Sequence, residues 1–184
     1  NSINKLQKEI TEILMLLGIP DAQFILKNDI SHTLLNTGYD KINILFSANK
    51  GSTPQDISQV ASGGEISRLM LALKSVITST NILPTIIFDE IDTGVSGEIA
   101  DKIGNLLKQM SKSRQIIAIT HLPQIAAYAD YHLKVFKEKS SSKTITKIKH
   151  LDKEQRIQEI AKMLSGEKIS GAAIENAKNL LNIP

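Results

Sequence analysis

The sequence has 184 residues, enough for one domain or for one large lobe of a bigger one. Its hydrophobic content of 41% supports a core, but only 4% is aromatic, so that core must be built from Ile, Leu, Val, Ala and Met. The absence of cysteine excludes disulfides and thiolate metal sites and fits a reducing cytoplasm; no apolar run is long enough to span a membrane; and a net charge of +3 permits contact with nucleic acid without demanding it.

Leu6, Ile10, Ile13, Leu14 and Leu17 recur at helical spacing and predict an amphipathic helix over residues 4–17, stopped by Gly18 and Pro20. Residues 1–20 do not read as a signal peptide. The helix has no start signal of its own, so residues 1–18 are expected to be the end of a longer coiled coil. Residues 22–27 and 41–47 predict two short strands around the turn Asn36-Thr37-Gly38, with Ile42, Ile44 and Phe46 on one face. Residues 48–61 read as a loop.

From residue 62 the pattern changes to helix, strand, helix, strand. Helix 64–79 carries Ile66, Leu69, Met70, Leu73 and Ile77 at helical spacing. Pro84 breaks it, and strand 85–89 follows. Helix 96–111 carries Ile99, Ile103, Leu106, Leu107 and Met110, and strand 115–120 follows. Strands that are apolar on both faces and alternate with helices predict an α/β fold with a mainly parallel sheet flanked by helices. A short helix over 123–129 leads to an antiparallel hairpin, 131–138 with 143–150, around Ser140-Ser141-Ser142. Asp152 with Gln155 predicts a capping box for helix 153–165, which Gly166 ends. Ser170 caps helix 171–182, whose Ala173, Ile174, Ala177 and Leu181 point inward.

Three places carry chemistry. Asp89 and Glu90 end a buried strand, and ligands gather at the carboxyl ends of parallel strands. A carboxylate there can hold Mg²⁺, directly or through water, while its neighbour orients or deprotonates a water attacking a γ-phosphate. Ser62-Gly63-Gly64 opens a helix, and its glycines leave backbone N–H groups open to an anion at the positive end. His121 ends a second strand of the same sheet, where it can donate a hydrogen bond to a phosphate oxygen. Each feature alone also fits a plain structural role: a strand end, a flexible helix start, an incidental histidine. What carries weight is their conjunction in order and context. The phosphate cradle G-x-x-x-x-G-K-[ST] is missing, because none of the ten glycines is followed by lysine.

Ser62-Gly63-Gly64-Glu65, then Phe88-Asp89-Glu90, then Thr120-His121 resemble the signature motif, Walker B motif and switch histidine of the ABC-type ATPases, which include the SMC-like proteins. The wider strings from Val60 to Arg68, Phe88 to Gly97 and Thr120 to Ala127, with Glu159 to Gly166 near the end, closely resemble the RecN family of bacterial double-strand-break repair proteins. Ile66 departs from the leucine common in that signature, and Phe46-Ser47-Ala48-Asn49-Lys50-Gly51 lacks the proline often found before that glycine. The resemblance implies that residues 19–184 are the C-terminal lobe of a split ATPase head, with the Walker A lobe elsewhere in the protein and a coiled coil between.

It also implies two heads that enclose ATP and Mg²⁺ between them, in the complete head only. Ser62, Gly63, Gly64 and Glu65 would then bind the nucleotide of the opposite head. Asp89 would place Mg²⁺, Glu90 would act on the attacking water, and His121 would contact the γ-phosphate. Asp92 would lie at the head–head contact. The implied partners are the N-terminal Walker A lobe, a second head, DNA, and a recombinase such as RecA, with no membrane and a cytoplasmic, nucleoid-associated location. Two other readings use the same motifs: the nucleotide-binding domain of an ABC transporter, and a dimerisation scaffold without catalysis. A helical subdomain before the signature would favour the first, and decay of Asp89, Glu90 or His121 the second. Lys134, Lys137, Lys139, Lys143, Lys147, Lys149 and Lys153 form a basic stripe that could follow phosphates or simply guard a sheet edge.

Overall fold

A computed structural model describes residues 2–36, 38–59, 63–77, 84–89, 91–95, 97–139 and 143–183. In chain order the elements are α1 (Ser2–Leu16), β1 (Gln23–Leu35), β2 (Gly38–Ser47), β3 (Gln55–Asp56), α2 (Gly63–Ile77), β4 (Thr85–Asp89), α3 (Gly97–Met110), β5 (Gln115–Ile119), α4 (Pro123–Ala127), β6 (Leu133–Lys139), β7 (Thr144–His150), α5 (Lys153–Ser165) and α6 (Gly171–Leu180). A 3-10 turn, Ile57–Gln59, follows β3. Strands β1, β2 and β3 form an antiparallel sheet, β4 and β5 a parallel pair, and β6 and β7 an antiparallel hairpin.

The main core gathers one face of several elements. Ile10, Leu14 and Leu17 come from the first helix and its end, Phe24 and Phe46 from β1 and β2, Leu69, Leu71, Ala72 and Val76 from α2, Ile86 and Phe88 from β4, and Ala100, Ile103, Leu107 and Met110 from α3. The positions in α3 follow the i, i+3, i+7, i+10 spacing of a helix stripe. In α2 the buried stripe is rotated from the expected one. Leu69, Leu71, Ala72 and Val76 are buried, whereas Met70 and Ile77 are exposed. This helix is apolar around most of its circumference, so more than one stripe satisfies helical spacing, and packing selects between them.

Helix α1 ends as its sequence demands. Ile19 N donates to Leu14 O at 3.0 Å and Gly18 N to Met15 O at 3.1 Å, the pair of bonds that closes a Schellman motif. Gly18 has φ 82°, and a Cβ there would stand 2.4 Å from Ile99 Cδ1. The left-handed backbone therefore favours glycine, and a side chain there would also have to displace Ile99 of α3. Strands β1 and β2 run further than expected. Their shared stripe passes from buried Phe46, through partly buried Ile44, to exposed Ile42 near the hairpin tip. Length in this hairpin comes from cross-strand pairing beyond the core, which apolar alternation does not mark. The turn residue Thr37 and the serines 140–142 of the other predicted turn lie outside the described residues.

A second, smaller core joins α4, α5 and α6 through Ala126, Ile160, Ala161, Ala173 and Ala177. Asp152 accepts a hydrogen bond from Gln155 N at 2.8 Å, and Ser170 one from Ala173 N at 3.2 Å, so both predicted caps form. Arg156 on α5 donates through Nη2 to the carbonyls of Ala126, Ala127 and Ala129, satisfying the end of α4. Among the described residues no helix is long and apolar enough to cross a membrane.

His132, at the start of the hairpin, is half-buried beside Arg156, Lys134 and Glu159. Burial, reinforced by the Arg156 charge, pushes its pKa below the ordinary histidine value. The unfolded chain therefore binds a proton that the folded chain resists, and stability falls as pH drops below about 6.5. Urea unfolding should show a lower midpoint at pH 5.5 than at pH 7.5, and His132→Gln should flatten that difference. An unchanged pH slope in the variant would remove His132 from the effect.

Candidate functional site

The parallel register of β4 and β5 sets the site. Phe88 pairs with Ala118 and Asp89 with Ile119, so both strands end at the same level and their following loops leave from one edge. Asp89 is exposed at the end of β4. Glu90, its neighbour, lies outside the described residues, as does Ser62. Helix α2 begins at Gly63, with Glu65 in its first turn.

The loop after β4 touches both other motifs. Asp92, only 2% exposed, lies beneath the end of β5. Its Oδ2 accepts from Thr120 Oγ1 at 2.5 Å, from His121 N at 2.8 Å and faces His121 Nδ1 at 3.0 Å. Thr120 Oγ1 in turn accepts from Leu122 N at 3.0 Å, which shapes the turn into α4. Burial alone would raise the Asp92 pKa, but the hydrogen bonds from Thr120 and His121 outweigh it and hold the carboxyl below its ordinary value. The His121 side chain, whose Nδ1 lies 3.0 Å from that carboxylate, is 75% exposed. Within this chain the Asp92 carboxylate is turned inward and engaged by the neighbouring loop.

On the other side, Gly64 lies against the same loop. A Cβ there would approach Thr93 O to 2.9 Å, whereas a Cβ at Gly63 would meet nothing within 4 Å. The two glycines therefore do different things. Gly63 leaves the helix start open, and Gly64 lets it close onto the loop between Asp89 and α3. Sequence reading singled out the three motifs but not this link. The signal available was an aspartate three residues beyond Asp89 and a threonine directly before His121.

The residues fit a magnesium ion in one way. Among the described residues no group of three or more His, Asp or Glu side chains could cage a metal. Mg²⁺ needs no such cage when a single carboxylate shares it with nucleotide phosphates and water, and Asp89 offers that carboxylate to solvent. The basic stripe is less free than its sequence implied. Lys134 is paired with Glu159 and Lys147 with Glu138. The stripe is also split: Lys134, Lys147 and Lys149 lie on one face of the hairpin, and Lys137 shares the other with exposed Leu133, Val135 and Ile148.

Comparison with known proteins gives a consistent answer. The chain is 41% identical over 176 residues to the DNA repair protein RecN of Rickettsia prowazekii, covering 96% of this chain and 32% of that protein. It is 46% identical over 147 residues to RecN of Rickettsia bellii, covering 80% and 27%, and 43% identical over 148 residues to RecN of Bacillus subtilis, covering 80% and 26%. The chain thus spans between a quarter and a third of the length of these relatives. Among solved structures, it matches the Smc head domain with a coiled coil and joint from Pyrococcus yayanosii at TM-score 0.66 and 22% identity, covering 88% of this chain and 29% of that one. A chain from work on ATP-driven dimerization and DNA-stimulated activation of SMC ATPases matches at TM-score 0.58 and 22% identity, covering 91% and 96%. At that identity the likeness establishes the fold. No protein-family model matches.

The contrast between the two glycines is testable by unfolding. Gly64→Ala should lose about 1–3 kcal/mol, the usual cost of overpacking against atoms that cannot move. Gly63→Ala should lose far less. Equal losses in urea midpoints would contradict the contact between Gly64 and the Thr93 carbonyl.

Proposed function

We propose that this chain, which belongs to the RecN family and corresponds to the C-terminal lobe of its SMC-like head, supplies one half of a composite ATP-hydrolysing site in a DNA repair ATPase. The observation that supports this best is the shared loop after β4, which joins the strand end bearing Asp89, the helix start at Gly63–Gly64 and the strand end bearing His121.

In this reading Ser62 and the open N–H groups at the start of α2 receive the γ-phosphate of ATP held by a second head, with Glu65 completing the signature. Asp89 would hold Mg²⁺ together with the nucleotide phosphates, and the bound ion supplies neutralisation of their charge. Glu90 orients the attacking water and accepts its proton. His121 meets a γ-phosphate oxygen through the ring nitrogen that faces solvent.

The phosphate cradle would come from the N-terminal lobe of the same protein. The exposed face of the parallel pair favours such a partner. Ile87, Ile117 and Ile119 are 57%, 40% and 52% exposed, although parallel strands are ordinarily covered on both faces. Helix α1 would be the end of the coiled coil that connects the lobes. DNA binding, action beside a recombinase such as RecA and location at the nucleoid belong to this reading as properties of the assembled protein.

The experiment uses the complete protein. Glu90→Gln keeps the side-chain shape but cannot act as a base, so turnover should fall by about 10²- to 10⁴-fold with ATP binding retained. Ser62→Arg should leave ATP capture by its own head intact while blocking head association and hydrolysis. A mixed dimer of the two variants puts both lesions on one composite site and leaves the other site whole. Measurable turnover by that dimer, with each variant inactive alone, supports service in trans. Normal hydrolysis by Ser62→Arg would overturn the role of the signature loop.

A further inference from the structure

The carboxylate of Asp92, below His121, is the most completely enclosed charged side chain near the motifs among the described residues. Asp92 is 2% exposed, and its Oδ2 faces three donors, all from Thr120 and His121. A carboxylate accepts hydrogen bonds and cannot give them. His121 Nδ1 stands 3.0 Å from Oδ2, so a hydrogen bond between them needs the proton on Nδ1. The backbone N–H of His121 is held by the same oxygen, which fixes the strand end as well as the ring.

We infer that Asp92 is the positioning residue for His121: it holds Nδ1 protonated and the ring oriented, so that Nε2 is the atom presented to a nucleotide phosphate. The tautomer of a histidine is set by the hydrogen bond that its other nitrogen makes, and such supporting carboxylates govern what the free nitrogen can do. Nε2 lies on the far side of the imidazole from Nδ1, and the side chain is 75% exposed, so Nε2 faces solvent. When Nε2 also carries a proton it can donate to a phosphate oxygen, and the carboxylate of Asp92 balances the ring charge from behind.

The position of Asp92 gives this support a second consequence. It lies on the loop that begins at the metal-binding strand end and whose Thr93 carbonyl abuts Gly64 at the start of α2. A displacement of that loop by the metal or by an opposing head would reach His121 through a single buried oxygen. The inference rests on the proposed role of His121 toward the γ-phosphate, and the test separates the two.

Nitrogen-15 NMR of histidine-labelled protein, assigned by comparison with His121→Gln, reads the ring directly. The 184-residue chain should show His121 with a proton on Nδ1. A ring protonated on Nε2 alone would overturn the inference without any variant of Asp92. In the complete protein, Asp92→Asn keeps volume while removing the charge. It should release the fixed tautomer and lower kcat by about 10- to 100-fold, in the range seen when an outer-shell partner of a functional histidine is lost, with KM for ATP little changed. Asp92→Glu, which restores a carboxylate, should recover part of the NMR signature. Full turnover by Asp92→Asn with the His121 signature unchanged would refute the inference. If His121→Gln itself hydrolyses ATP normally, the γ-phosphate role of His121 fails instead, while the NMR result still decides what Asp92 does to the ring.

Discussion

The in-register parallel pairing of β4 with β5 is the constraint on which the rest depends. Alternate residues of β4 point to opposite faces, so burying Ile86 and Phe88 in the main core commits Ile87 and Asp89 to the other side. Pairing Asp89 with Ile119 then ends both strands at one level. The loop carrying Asp92 and the turn at Thr120–Leu122 consequently leave the sheet side by side, close enough for one carboxylate to hold both. A slip of one residue in either strand would reverse the faces and separate those loops.

The same constraint leaves an uncovered apolar surface. Full burial of an isoleucine contributes about 1.5–3 kcal/mol. Covering Ile87, Ile117 and Ile119, already partly buried, would contribute on the order of 2–4 kcal/mol by that measure. Association of two free partners costs about 4–15 kcal/mol in lost motion. This face alone is too small to capture a free protein. It suffices for a lobe tethered through the same polypeptide, where association is intramolecular and most of that cost is removed. The surface therefore suits a covalently linked companion better than a diffusing one.

Much of the fold was legible in the sequence because it rests on local rules. The caps at Asp152 and Ser170, the stops at Gly18 and Gly166, and the apolar strands β4 and β5 each follow from residues next to one another. Features that depend on distant contacts were less legible. The stripe of α2 was ambiguous because the helix is apolar nearly all round, and only packing distinguishes Ala72 and Val76 from Met70 and Ile77. The two-residue strand β3 is held by its register with Leu45 and Phe46 and has no pattern of its own. In the site, local patterns placed Asp89 and His121 at the ends of neighbouring strands, whereas the inward turn of Asp92 arises from a contact with residues 28 and 29 positions away. No local spacing encodes that contact.

The central claim is that these 184 residues hold one half of a nucleotide site, able to act on ATP but not to retain it. Calorimetric titration with MgATP tests this most directly, performed on the chain alone and on the chain co-purified with the N-terminal lobe of the same protein. The account predicts no measurable binding by the chain alone, since no glycine precedes a lysine that could cradle the β- and γ-phosphates, and clear saturable binding once the second lobe is present. Micromolar binding of MgATP by the chain alone would contradict it.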